Sequence, residues 1–438
     1  MEWYVALSLL LGSLVVLLLL GLPVVFSFFA VNVIGAFYFL GGEAGLGQVV
    51  RNAVDSVTTF SLAPIPLFLL MGEVMFRTGI AKNAIDAVDR LIAKVPGRLS
   101  LVAIAGGTVF STLSGSTLAN TAILGSTLMP DMRARGYHPS IAMGPILGTG
   151  GIAMLIPPSA LAVILASLGQ ISVADLLMAG IIPGLTMAAL FFAYVVIRCR
   201  IDPSLAPAYD IADMSLRERF MPFLIYVVPL FSIFVVVVGS ILAGIASPTE
   251  SAALGSVASI IAAAAYRSLT WANFKHALVE TAKISVMILF IICASITFSQ
   301  ILAFSGATDG LLKLITAIDP PPLTLVLFML AVLLFLGAFM DQLSMMMITL
   351  PFFIPLLNTA GVDTVWFGVL MLIMLEIGFT TPPFGLLLFV MKGVAPPETT
   401  MKQIFVAAMP FILLMLATVA LIIVFPGIAT WLPSVVRT

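Results

Sequence analysis

Uncharged stretches recur along the whole of this sequence, and they restrict its fold more than any other feature. Between Trp3 and Gly42 there is no Asp, Glu, Lys or Arg. Further apolar windows fall near 53–76, 99–112, 140–165, 173–198, 220–246, 250–266, 283–304, 322–338, 364–391 and 403–432. Crossing a hydrocarbon core roughly 30 Å thick takes about 20 apolar residues of helix. Only helices and closed barrels satisfy every backbone polar group in lipid, and these runs are too long and too evenly apolar for barrel strands. An all-α polytopic membrane protein is therefore expected, with about 11 transmembrane helices.

Composition agrees: 61% of the 438 residues are hydrophobic and 9% charged, against roughly a quarter charged in a soluble domain. A net charge of -1 offers no basic face for nucleic acid. Cys199 and Cys293 have neither CxxC nor zinc-ligand spacing, which points to free thiols. The amino-terminal apolar run is too long for the core of a signal peptide and reads as membrane segments.

The most polar connector, Arg198 to Arg219, lies near the middle and divides the chain into a first half, 1–200, a connector, 201–219, and a second half, 220–438. Its four arginines favour the cytoplasmic side, as do Arg77, Lys82, Arg90, Lys94 and Arg98. Between Arg77 and Arg98, Ile80, Ala84, Ile85, Val88, Leu91 and Ile92 recur at helical spacing, as in a helix lying along the membrane surface. Trp271 to Lys283 has a similar character. A solvated loop helix would show the same pattern; an arm joining a moving core to a static frame is the functional alternative.

Two polar segments interrupt the apolar pattern. Ten of the twenty residues from Thr108 to Thr127 are Ser, Thr or Asn, centred on Ser114, Gly115, Ser116, Thr117 and Asn120. Such oxygens can coordinate a hard cation, although small residues also let helices pack closely. Beyond them, Gly148-Thr149-Gly150-Gly151 leads into Pro157-Pro158-Ser159, where two prolines should break a helix in mid-span. The second half repeats the arrangement, with Gly337 to Ser344 followed by Gly378-Phe379-Thr380-Thr381-Pro382-Pro383-Phe384-Gly385. The expected layout is a re-entrant hairpin near 113–130 with a broken helix near 150–160, and a hairpin near 339–358 with a broken helix near 378–385. Aligning Pro130 with Pro351 sets Asn120 on Asp341. Paired broken helices of this kind form the ion and substrate sites of repeat-built secondary transporters.

Asp341 stands between two uncharged runs and needs a cation, a proton or a satisfied network; a helix cap is the competing role. Glu376, before the second break, poses the same question, but its position closer to a membrane surface makes a structural role equally apt.

At these residues the chain resembles the large membrane subunit of tripartite ATP-independent periplasmic (TRAP) transporters. The resemblance covers nearly the whole length and rests on Pro66 to Glu73, Ser114-Gly115-Ser116, Gly150-Gly151 through Ser159, Ala179 to Gly184, and Thr381 to Gly385. It implies two inverted structural repeats, with a transport core moving by an elevator mechanism against a scaffold. It also implies a bacterial inner-membrane location, a separate small membrane subunit, a periplasmic substrate-binding protein, Na+ as coupling ion and no other cofactor. Sodium ligands would then come from Ser114, Ser116, Asn120, Gly150, Gly151, Asp341, Ser344, Thr380 and Thr381. A small organic anion, carboxylate or sulfonate, would meet Ser116, Pro158, Ser159, Thr381 and Pro383. Met345, Met346 and Met347 depart from the first hairpin's hydroxyl pattern, which argues against equal ion sites in the two halves. The competing functions are a one-component sodium-dependent anion carrier, a channel, and an intramembrane enzyme. The last is disfavoured because His138 and His276 lie in or near connectors and no nucleophile with a base is recognisable.

Overall fold

The computed structural model describes residues 2–91, 95, 97–114, 117–207, 215–382 and 385–436. Among these residues the protein is built from α-helices and short 3-10 or π turns, without a strand. In chain order the helices are α1 (Trp3–Leu19), α2 (Val24–Phe39), α3 (Glu43–Thr58), α4 (Pro64–Arg77), α5 (Ile80–Leu91), α6 (Arg98–Ser114), α7 (Thr117–Ala134), α8 (Pro139–Leu155), α9 (Ala160–Leu168) and α10 (Val173–Ile201). After the connector come α11 (Leu216–Pro222), α12 (Val228–Leu242), α13 (Pro248–Ala265), α14 (Trp271–Phe304), α15 (Ala307–Ile318), α16 (Pro322–Gly337), α17 (Gln342–Thr359), α18 (Thr364–Thr380), α19 (Leu386–Val394), α20 (Met401–Val424) and α21 (Gly427–Val436).

Five described helical segments are long and apolar enough to cross a bilayer alone, and α8 with α9 forms a sixth, bent by 48° at its break. Several shorter apolar helices, α1, α2, α16 and α18 among them, accompany these. The windows 99–112 and 322–338 are each paired with the helix that follows. They are the outgoing arms, α6 and α16, of two helical hairpins whose return arms are α7 and α17. The polar segments are thus the hairpin tips and return arms, and each hairpin reaches further back than 113 or 339. Trp271 to Lys283 is likewise no separate arm: it forms the first turns of α14, whose 34 residues span about 51 Å and overrun any hydrocarbon core.

The two halves repeat with little drift. Helix α7 begins at Thr117 and α17 at Gln342, 225 positions apart and both 18 residues long. Helices α8 and α18 begin at Pro139 and Thr364, again 225 apart and both 17 residues long. Their caps correspond too, His138 accepting from Ser140 N and Asp363 from Val365 N and Trp366 N. The half-helices α9 and α19 have nine residues each. This register pairs Pro130 with Pro355 and so moves the sequence-based alignment by four residues, one helical turn. Pro130 to Pro157 and Pro355 to Pro382 then span 27 residues each, and Asn120 corresponds to Met345 rather than Asp341. A proline mismatched by one turn keeps every residue on nearly the same helix face, but the spacing to the next break carried the signal, 31 residues from Pro351 against 27 from Pro355.

Helices α6 to α10 pack with α16 to α20, while α1 to α4 and α12 to α14 form a second group that touches the first through α4 and α14. The second group is held partly by buried polar contacts: Asn32 Nδ2 donates to Ala294 O at 2.7 Å, and Asn52 Nδ2 to Gln300 Oε1 at 2.7 Å. Within the first group, each return arm leans on the other repeat's half-helix, α7 on α19 and α17 on α9.

Helix α5 is the amphipathic element expected along the membrane surface, with Ile80, Ala84, Ile85, Ala87 and Val88 buried against α6 and the α11 region. It is pinned by Arg98, whose Nη2 donates to Asp89 Oδ2 at 2.6 Å and Nε to Asp89 O at 3.1 Å. Burial pushes the Asp89 carboxyl up, and Arg98 draws it back. Arg98→Ala removes that counterweight and should lower stability by roughly 1–3 kcal/mol, less than a fully buried pair because Asp89 is partly solvated. The check is the thermal midpoint of the purified protein; an unchanged midpoint would show that α5 is held by its apolar face alone.

Candidate functional site at the repeat interface

Helix α8 ends because Pro157 and Pro158 supply no N–H and Ile156 adopts an extended conformation, φ -87° and ψ 121°. Ser159 restarts the chain as the cap of α9, accepting from Ala162 N at 3.2 Å. Helix α18 ends in the same way, with Thr381 extended at φ -91° and ψ 131° before Pro382. Ser159 and Pro158 are buried at the first break. Thr380 is fully buried at the second, its hydroxyl donating to Glu376 O at 2.9 Å, while the Thr381 hydroxyl donates to Ile377 O. Pro383 lies outside the described residues.

The hairpin tips approach these breaks. Gly115 and Ser116 are outside the described residues, and Ser114 closes α6 without a described side chain. On the return arm, Asn120 is fully buried and donates from Nδ2 to Thr149 Oγ1 at 2.9 Å; Thr149 in turn donates to Ile146 O at 2.8 Å. Asn120 Oδ1 and Thr121 Oγ1 are buried with no hydrogen-bond partner. In the second hairpin, Asp341 caps α17: Oδ2 accepts from Leu343 N at 3.0 Å and Ser344 N at 3.3 Å, and the Ser344 hydroxyl donates to Oδ1. Asp341 and Ser344 are therefore brought together, with the carboxylate engaged by the helix start. The three methionines after Ser344 are buried, so this arm packs where the first hairpin's arm presents oxygens.

The residue at the centre is Glu376, which the sequence reading set nearer a membrane surface. It is fully buried, and its Oε2 accepts from Gln342 Nε2 at 2.8 Å. Its Oε1 has no partner. That oxygen lies against Gly150 so closely that a methyl group there would come within 2.1 Å of it, and within 3.2 Å of Thr117 Cβ. At Gly151 a methyl group would stand 3.5 Å from Glu376 Cγ, between the sulfurs of Met415 and Met187. Gly150 and Gly151 thus meet Glu376 and Asn120 meets the adjacent Thr149, whereas Asp341 and Ser344 form their own cap. Gln342 and Thr149 join the site without having been given a role, and Thr117, one of the hydroxyls read as a possible cation ligand, reaches it as well. One signal was legible: Gly151 and Glu376 each precede their Pro-Pro pair by six residues.

Gly151 and Glu376 are equivalent under the 225-residue register, yet they touch. The flanking Met187 and Met415 match in the register set by the caps Ser172 and Thr400 of α10 and α20. A further close approach ties the second hairpin to its break: Gly337 and Gly378 are so near that a methyl group on Gly337 would meet Gly378 Cα at 2.3 Å.

Paired hairpins and paired broken helices closing on a buried polar centre are the arrangement of membrane transporters built from repeats. Residues 11–428 match the family model described as the tripartite ATP-independent periplasmic transporter, DctM component. The chain belongs to this family, the large permease subunits of TRAP transporters, and is a multi-pass inner-membrane protein of TRAP-type import. It is 31% identical over 423 residues to the sialic acid TRAP transporter large permease protein SiaM of Vibrio cholerae, covering 95% of this chain and 96% of the relative. To the C4-dicarboxylate TRAP transporter large permease protein DctM of Pseudomonas aeruginosa it is 30% identical over 382 residues, 86% of each. Its fold is similar to the solved YdaH transporter of Alcanivorax borkumensis, with a TM-score of 0.60 at 17% identity, covering 89% of this chain and 90% of that one.

Proposed function

We propose that this permease imports a small organic anion, a carboxylate or sulfonate, driven by sodium, with a separate small membrane subunit and a periplasmic binding protein that delivers the substrate. The observation that carries this reading is the convergence of two hairpin return-arm N-termini, at Thr117 and Gln342, on two broken helices around buried oxygens without partners. Helix N-termini favour anions, and neutral and acidic oxygens favour a hard cation. The two relatives named for a C4-dicarboxylate and for sialic acid support an acidic substrate. The two packing groups support an elevator in which the hairpin group slides against α1 to α4 and α12 to α14.

Uptake into proteoliposomes holding the permease, its small subunit and its binding protein is expected to require a sodium gradient. Asn120→Ala, Ser116→Ala and Asp341→Ala should each raise the sodium concentration needed for half-maximal uptake. Sodium dependence unchanged in all three would overturn the ligand assignment, and full uptake without a binding protein would favour a one-component carrier.

A further inference from the structure

Helices α5 and α11 pack together at the membrane surface, and a cleft of about 530 Å³ opens between them. Helix α11 continues through a π turn, Phe223–Val227, into α12, and the segment Leu216–Leu242 is long and apolar enough to cross the bilayer. The charged end of this segment, Arg217 and Glu218, lines one side of the cleft; Asp86 and Arg90 of α5 line the other. Asp86 and Arg90 are four residues apart and so share the exposed face of α5. Each wall therefore carries one positive and one negative group.

These groups do not neutralise one another by contact. Among the described residues no ion pair or hydrogen bond engages the side chains of Asp86, Arg90 or Arg217. Glu218 uses one oxygen for the helix cap, its Oε2 accepting from Ser215 N and from the Ser215 hydroxyl, each at 2.8 Å. The same cleft is also lined by Met221 and Ile225, and beyond it Leu224, Val228 and Phe231 are exposed along the outside of the span. Any lipid-facing helix shows such an apolar stripe. A two-signed polar cleft at its head is what selects one amphiphile over another.

We propose that this cleft holds the headgroup of a phosphatidylethanolamine molecule of the cytoplasmic leaflet. Its phosphodiester meets Arg90 and Arg217, its primary ammonium meets Asp86 and Glu218, and its acyl chains follow Met221, Ile225 and the stripe below. A guanidinium matches phosphate oxygens with paired N–H donors, and an ammonium offers three N–H donors to the two carboxylates. Phosphatidylglycerol would satisfy the arginines but set its phosphate beside two carboxylates with no cation for them. A quaternary choline has no N–H to donate. Helix α5 leads into the first hairpin and α11 into α12 of the second packing group, so the lipid bridges the two groups at the amphipathic arm.

The test is thermal stabilisation of the purified, delipidated permease in detergent micelles. The additions are phosphatidylethanolamine, phosphatidylcholine or phosphatidylglycerol with matched acyl chains, or water-soluble glycerophosphoethanolamine. Phosphatidylethanolamine should stabilise saturably and at the lowest concentration, and glycerophosphoethanolamine should do little at that concentration. Arg90→Gln combined with Arg217→Gln should raise the half-saturating concentration of phosphatidylethanolamine by about fivefold. Asp86→Asn should raise it by about threefold and abolish the preference over phosphatidylglycerol, which decides the matter if the arginine variant does not fold. Arg200→Gln, an exposed arginine of α10 outside the cleft, should match wild type. Equal stabilisation of wild type by the three lipids, or an unchanged preference in both the arginine and the aspartate variants, would overturn the proposal. Stronger stabilisation by phosphatidylglycerol would overturn the zwitterionic headgroup, and glycerophosphoethanolamine acting as well as the lipid would overturn the lipid as its source.

Discussion

Gly337→Ala should cut uptake by about tenfold or more while leaving the protein folded. The outgoing arm of the second hairpin reaches α18 through a contact of two glycines, and the added methyl would lie 2.3 Å from Gly378 Cα. Backbone cannot rotate out of the way as a side chain can, so the hairpin must retreat by more than about 1 Å to restore ordinary contact. Overpacking of this sort costs roughly 1–3 kcal/mol. The displacement also carries Gln342, only five residues on, away from Glu376. Gly393→Ala is the matched control, because no atom lies within 4 Å of its methyl position. Initial rates in proteoliposomes, normalised to reconstituted protein, decide the matter: equal rates for Gly337→Ala and Gly393→Ala would mean that the glycine contact does not set the working position of the hairpin.

Gly150→Ala should destabilise the first repeat, and its cost should depend on Glu376. The methyl would collide with Oε1 at 2.1 Å and crowd Thr117 Cβ at 3.2 Å. Shortening the acid to alanine clears the first obstacle. A thermal-unfolding cycle of Gly150→Ala, Glu376→Ala and the double variant should therefore show a favourable coupling of about 1–3 kcal/mol. Strict additivity would place the carboxylate elsewhere in solution and remove the basis for a site at residues 149–150.

The polytopic helical class, the two halves and the paired breaks were legible because lipid imposes long uncharged runs and proline imposes helix ends, and both act locally. Hairpin extent was not. The outgoing arms α6 and α16 form apolar windows of their own, and only tertiary contact shows that each is paired with the polar helix after it. The role of Asp341 was undecided from sequence because one Asp ahead of Ser344 serves equally as a cap and as an ion ligand; the structure shows the cap. Glu376 was undervalued for a different reason. Its depth depends on the offset between α8 and α18, a non-local quantity, and no pattern within residues 364–380 reports it.

Gly151 and Glu376 occupy the same place in their respective repeats and lie against each other. Had both copies carried the acid, two carboxylates would have shared one point, repelling each other and competing for one volume. Had both carried glycine, the centre would hold no charge at all. In a chain built of two matched repeats this acid therefore requires the two positions to differ, so the asymmetry at their contact is a condition for having a charged centre.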